Sequence, residues 1–241
     1  MPGNSESFLT ENLCWLLEKT EEAKEANYLS YLAVGHINSN YRETLFNWVL
    51  DLSPNLNFSV STGLLACSYI DRFLSSRPNF QHSVLELIGI ISLSLAMKFA
   101  EGKVLTPNSI HKMLEYRYSI DAIVTTEIFM LKELGWNLST PSPCELVDTL
   151  IEYSFDHPCT GRIIETCHSF AVLCYLDTET AASGNFNLAI ASIVLSLDRL
   201  GYREFRADWL LSLQESFVFD NEKLEITVRR VLSKLDLLQK Q

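Results

Sequence analysis

The sequence predicts an all-α protein, and three observations carry that reading. Apolar residues recur at helical spacing along most of the chain, and no alternating strand pattern interrupts them between residues 40 and 135. The gaps hold helix-start residues, as in Thr106-Pro107-Asn108. Near the middle, Thr140-Pro141-Ser142-Pro143 punctuates the chain, because a proline bars the residue before it from continuing a helix.

Residues 9–34 read as an acidic amphipathic helix. Leu13, Leu16 and Leu17 give its apolar side, Glu18 to Glu25 a solvated charged turn, and Tyr28 to Val34 its second apolar stretch. Asn40 with Glu43 three residues on resembles a capping box, and Tyr41, Leu45, Trp48, Val49 and Leu52 form one stripe behind it. A second helix is expected over Ser59–Ser76, then a break at Arg77-Pro78-Asn79, then an apolar helix from about Ser83 to Ala100. Thr106-Pro107 opens a short helix through Leu114. Ser119 or Asp121 opens another that stops at Gly135, a residue suited to the left-handed position after a helix.

After the proline-rich linker the rhythm restarts, with helices expected at 143–154, 159–176, 186–200, 206–217 and 221–238. A shift of about a hundred residues lays this set over the first, so that the apolar helix at 83–100 meets Phe186–Leu200. The repeat is one of pattern rather than of residue identity. Gly89, Ser92 and Ser94 in one half, and Ala189, Ala191 and Ser192 in the other, let neighbours approach a central helix closely. The expected architecture is an N-terminal helical segment (1–38) followed by two tandem five-helix bundles (39–139 and 140–241), each built around a buried middle helix.

Composition narrows the function. The chain has 241 residues, 47% hydrophobic and 20% charged, which is ordinary globular material. A net charge of −11 argues against nucleic-acid binding and suits partners with basic segments. Cys14, Cys67, Cys144, Cys159, Cys167 and Cys174 show no metal-site spacing, and Cys167-His168 alone does not make one. Buried free thiols are expected, with no metal and no cofactor. The apolar run ending at Met97 is too short to span a membrane, and Met1 to Glu6 has no targeting character, which fits a nuclear or cytoplasmic protein. Nucleotide-binding, zinc-hydrolase and serine-hydrolase motifs are all missing, and the five histidines are scattered. The chain is expected to have no catalytic residues.

Two charges stand out. Lys98 ends the charge-free run Leu87–Met97, with Leu95, Ser94 and Ile91 on the turns behind it. Glu127 falls on the stripe Ile120, Val124, Glu127, Leu131, Leu134, where helical period calls for an apolar residue. A charge on an apolar face requires a partner, inside the fold or on another protein. Singly, Lys98 can snorkel from a helix end and Glu127 can sit on a rim.

Four segments, agreeing in order and spacing over about residues 8–145, resemble the cyclin box. They are Tyr41–Asp51, with Arg42 and Trp48; Tyr69-Ile-Asp-Arg-Phe-Leu-Ser75; Leu85-Glu-Leu-Ile-Gly89 with Ser94-Leu-Ala-Met-Lys-Phe-Ala-Glu101; and Glu127 through Gly135-Trp-Asn-Leu138. The second half is similar to the C-terminal cyclin fold in helix pattern only. Within the family the look is nearest to D-type G1 cyclins, from Trp136-Asn-Leu138 and Tyr28-Leu-Ser-Tyr-Leu32. The Leu-x-Cys-x-Glu motif of many D-type cyclins is missing, since Leu13-Cys14-Trp15 has the wrong spacing.

The resemblance implies a non-catalytic activator that binds a cyclin-dependent protein kinase as a heterodimer, in cell-cycle control at G1/S. Lys98 would donate to backbone carbonyls of the kinase, and Glu127 would accept from its backbone or polar groups. Leu95, Phe99, Leu131, Trp136 and Leu138 would form the apolar floor, with Glu101 beside them. Ala100 departs from the acidic residue usual there. Arg42 and Asp71 match an architectural ion pair between two helices. In many cyclins a trough captures Arg-x-Leu peptides of substrates or inhibitors; its positions here are Tyr41, Leu45, Trp48, Asp51, Leu85 and Glu86. Tyr41, Glu43, Thr44 and Glu86 depart from the usual residues and make it more polar and acidic, and Leu45 and Trp48 also read as plain core. A cyclin-fold peptide-binding scaffold without a kinase, or a transcription-type cyclin, is the alternative.

Overall fold

The structure, a computed structural model, describes residues 3–24, 39–76, 81–155 and 160–238. Every regular element among them is helical: α1 (Gly3–Lys24), α2 (Ser39–Asp51), a single turn α3 (Ser53–Leu56), α4 (Val60–Ser76), a 3-10 turn (His82–Val84), α5 (Leu85–Glu101), α6 (Pro107–Met113) and α7 (Ile120–Glu133). The second half gives α8 (Pro143–Ser154), α9 (Thr160–Leu176), a short α10 (Thr178–Ala181), α11 (Asn185–Leu200), α12 (Arg203–Ser216) and α13 (Asn221–Leu238). The all-α class and both sets of five principal helices agree with the sequence reading.

Local chemistry sets the helix limits. The hydroxyls of Thr106, Ser119 and Ser142 accept from the backbone N–H of Ser109, Ala122 and Glu145 at 3.2, 3.1 and 3.1 Å, satisfying donors that a helix start leaves open. Gly102 and Gly201 end the two central helices at φ 64° and 86°, a region that favours glycine. Three expectations differ in detail. α1 starts at Gly3, not near residue 9, and Asn40 lies inside α2 rather than capping it. The single turns α3 and α10 were not foreseen. Tyr28–Val34 and the break at Arg77-Pro78-Asn79 lie outside the described residues.

The chain divides into two units, one running from Ala23 to Thr140, the other joining α1 as far as Glu22 to everything from Pro141 onward. In the first, α5 is central and buried from Leu87 through Met97, as expected of a helix that is apolar all round. α4 lies along it, α2 packs on both, and α7 packs on α5 and α4. Gly89 is where α2 comes closest: a Cβ built there would meet Trp48 Cζ3 at 3.0 Å and Leu45 Cδ1 at 3.1 Å. Arg42 of α2 reaches Asp71 of α4 through two hydrogen bonds, Nε–Oδ1 3.0 Å and Nη2–Oδ2 2.8 Å. Both residues are buried, and the guanidinium lies 4.4 Å from the centre of the Phe46 ring.

In the second unit α11 takes the central place, buried from Asn185 through Leu197, with α8, α9, α12 and α13 against it. Leu13 and Leu16 of α1 are buried in this core beside Leu146, Leu150 and Ile190. The thiols of Cys144, Cys167 and Cys174 are buried, and desolvation pushes each up to about 12, so they are inert at neutral pH. Cys67 is buried too, whereas Cys14 is exposed, against the expectation of buried thiols throughout. Asp177 caps α10 and takes Arg230 and Lys234 of α13 on its two oxygens.

Candidate partner-binding face

Lys98 and Glu127 answer each other. Lys98, in the last turn of α5, places Nζ 2.6 Å from Glu127 Oε1 in the middle of α7. The side chains are 31% and 20% exposed, so the pair is open on one side. An ammonium has three donors and a carboxylate about four acceptor sites, so one hydrogen bond leaves each group with capacity for a visitor.

The apolar candidates divide by depth. Leu95 is buried, Leu131 and Leu138 are half-buried, and Phe99 and Trp136 are 52% and 67% exposed. Glu101 is engaged inside the unit: Oε1 accepts from Ser59 N–H at 2.7 Å and Thr62 Oγ1 at 2.6 Å, and Oε2 pairs with Lys103 at 2.7 Å. Desolvation works against its ionisation, but these donors hold its carboxyl down to about 2. Glu101 therefore ties the end of α5 to the start of α4.

The stripe read through Glu127 needs correction. The buried positions of α7 are Ile123 and Met130, with Leu134 just beyond, while Ile120 and Val124 are exposed. Ile128 is exposed as well, so Ile120, Val124 and Ile128 make an outward apolar line at every fourth residue. Helix α7 has apolar residues on two sides, and period alone did not say which faces the core. The spacing 120, 124, 128 is the signal of that outward line in the sequence.

The trough positions all lie in the first unit. Leu45 and Leu85 are buried, Trp48 is half-buried, and Tyr41 and Asp51 are exposed. Leu45 and Trp48 rest over Gly89, which packs them into the unit. Glu86 carries an ion pair with Arg117, a partner the sequence reading did not foresee. The pair raises the pKa of Arg117 through the Glu86 hydrogen bond.

Among the described residues no group of three or more His, Cys, Asp and Glu could hold a metal ion, and no helix is long and apolar enough to cross a membrane. His168 instead pairs with Asp148 at 2.7 Å.

Residues 12–139 match the family model for the cyclin N-terminal domain, and the chain belongs to the cyclin family. It is 30% identical over 168 residues to the G2/mitotic-specific cyclin-4 of Candida albicans, covering 70% of this chain and 33% of that protein. It is 25% identical over 186 residues to Cyclin-D2-2 of Oryza sativa, covering 72% and 52%. With the G1/S-specific cyclin-D1 of Xenopus laevis the identity is 24% over 215 residues, covering 88% and 73%. The chain thus spans a third and about half of the first two relatives. In fold it is similar to a viral cyclin from herpesvirus saimiri, with a TM-score of 0.75 at 14% identity over 92% of this chain and 96% of that one.

Proposed function

We propose that this chain is a non-catalytic activating subunit of a cyclin-dependent protein kinase, acting in cell-cycle control at G1/S from the nucleus or cytoplasm. The observation that carries the reading is the half-open Lys98–Glu127 pair, in a unit that also exposes Phe99, Trp136 and the line Ile120, Val124, Ile128. In this reading a kinase helix lies along α7, Lys98 donates to its carbonyls, and Glu127 accepts from its N–H or polar groups. Because the two charges already hold each other, little side-chain freedom is lost when the partner arrives. Leu95, Leu131 and Leu138 support the apolar contact. Glu101 contributes from beneath, by fixing the α5 terminus that carries Lys98 and Phe99.

Activation then follows from differential binding. The face prefers the active position of the kinase helix and shifts the population toward it without contributing a catalytic group. The trough of Tyr41, Leu45, Trp48, Asp51, Leu85 and Glu86 serves as the second contact, for basic Arg-x-Leu peptides of substrates or inhibitors.

The test is phosphotransfer by purified cyclin-dependent kinases, each alone and with this chain, wild type and K98A/E127A. Stimulation by the wild type and not by the folded double variant supports the reading. A chain that binds Arg-x-Leu peptides but stimulates no kinase is a peptide-binding scaffold instead.

A further inference from the structure

Trp136 carries two unfavourable features at once. Its φ is 58°, directly after Gly135 at 61°, and a residue with a Cβ is strained in that region. Its indole is also 67% exposed. Tyr116 has a similar φ of 62°, but its ring rests edge-on against His111 at 4.8 Å. Trp136 has no ring contact of that kind among the described residues.

Such a conformation persists only where its surroundings impose it, and here α4 imposes it. Arg72 Nη1 donates to the Asn137 carbonyl at 2.8 Å and to Thr140 Oγ1 at 3.0 Å, and its Nη2 donates to the Leu134 carbonyl at 3.2 Å. Tyr69, buried one turn earlier, donates its hydroxyl to the Leu138 carbonyl at 2.6 Å. The backbone is therefore gripped on both sides of Trp136, whose own N–H donates to Leu131 O at 2.9 Å.

We propose that Arg72 is a positioning residue for partner binding: it holds the 134–140 turn so that Trp136 stands out as a preformed anchor. The functional half of this rests on the kinase-face reading above. A fixed aromatic in the open lowers the ordering cost of association, which is what an interface anchor requires. The task suits arginine, whose planar fork reaches three acceptors at once. A lysine keeps the charge but offers one nitrogen.

The test uses the full chain labelled with 5-fluorotryptophan, which has four tryptophans, the Trp136 resonance being assigned with W136F. In R72K and R72Q that resonance moves toward the position of a freely solvated indole while the other three stay in place. Binding is then measured to a cyclin-dependent kinase that the wild type stimulates. R72K is expected to weaken it about tenfold, and less than about twofold in a W136A background, since residues acting as a unit are not additive. Equal loss in both backgrounds, or an unmoved resonance, overturns the positioning role. A mobile Trp136 with no loss of kinase binding in W136A overturns the kinase-face reading and leaves the grip of Arg72 on the turn intact.

Discussion

Lys98 Nζ and Glu127 Oε1 lie 2.6 Å apart, joining the end of α5 to the middle of α7 with one side open to solvent. The pair resolves why two charges occupy apolar faces, since each supplies the other's partner before any second protein arrives. An ion pair this open stabilises the fold by about 0–1 kcal/mol. K98A and E127A should therefore remain folded. Each should weaken kinase binding by about 2–4 kcal/mol, because a partner group is then left desolvated and unpaired. Isothermal titration of the single and double variants checks this, and the double loss should fall short of the sum.

The Arg42–Asp71 pair should behave in the opposite way. It is buried, and truncating one member strands a charge, so D71A should destabilise the first unit by about 3–5 kcal/mol in urea denaturation. Replacing both members with apolar residues of similar size should recover much of that loss. The fold then tolerates removal of the pair better than removal of half of it.

Asp177 predicts an acid-sensitive contact in the second unit. Burial alone would push its carboxyl up, but hydrogen bonds from Lys234, the Thr180 N–H and Arg230 outweigh it and hold the group at about 2. The folded pKa lies below the unfolded value of about 3.9, so the stabilisation is complete above about pH 5 and is lost as pH falls toward 2. Urea titrations of wild type and D177N across that window should converge at the acid end. A constant difference would place the effect elsewhere.

G89A should separate stability from the proposed peptide binding. In G89A the new methyl group presses on Trp48 and Leu45, which disfavours the fold, while alanine gains about 1 kcal/mol of helix preference over glycine. Stability should change by less than about 1 kcal/mol, yet binding of Arg-x-Leu peptides should fall as the Trp48 ring shifts. Fluorescence titration of labelled peptides, beside a thermal melt, reads both.

Arg117 should compete with a basic peptide for Glu86. The two side chains form an exposed ion pair, which is weak, so R117A should tighten binding of a peptide with three basic residues by a few-fold. E86Q should weaken that binding. A peptide with one basic residue should respond less to either change.

The sequence by itself determined the principal helices and their order, because helical period, caps and prolines act over a few residues. Ser119, Ser142 and Gly135 mark their helix ends as their chemistry requires. It also marked Lys98 and Glu127, since a charge on an apolar face is visible without coordinates. What it could not determine is which side of a helix with two apolar sides turns inward, and for α7 the core took Ile123 and Met130 and left Ile120, Val124 and Ile128 outside. Nor could local pattern assign α1 to a core more than a hundred residues away, where Leu13 and Leu16 meet Leu146 and Leu150. Pairings over long separations, such as Glu86 with Arg117 or Arg72 with the turn carrying Trp136, were likewise decided only by tertiary structure. Burial and hydrogen bonding between distant segments depend on how helices pack against each other, and that information is not held in any one of them.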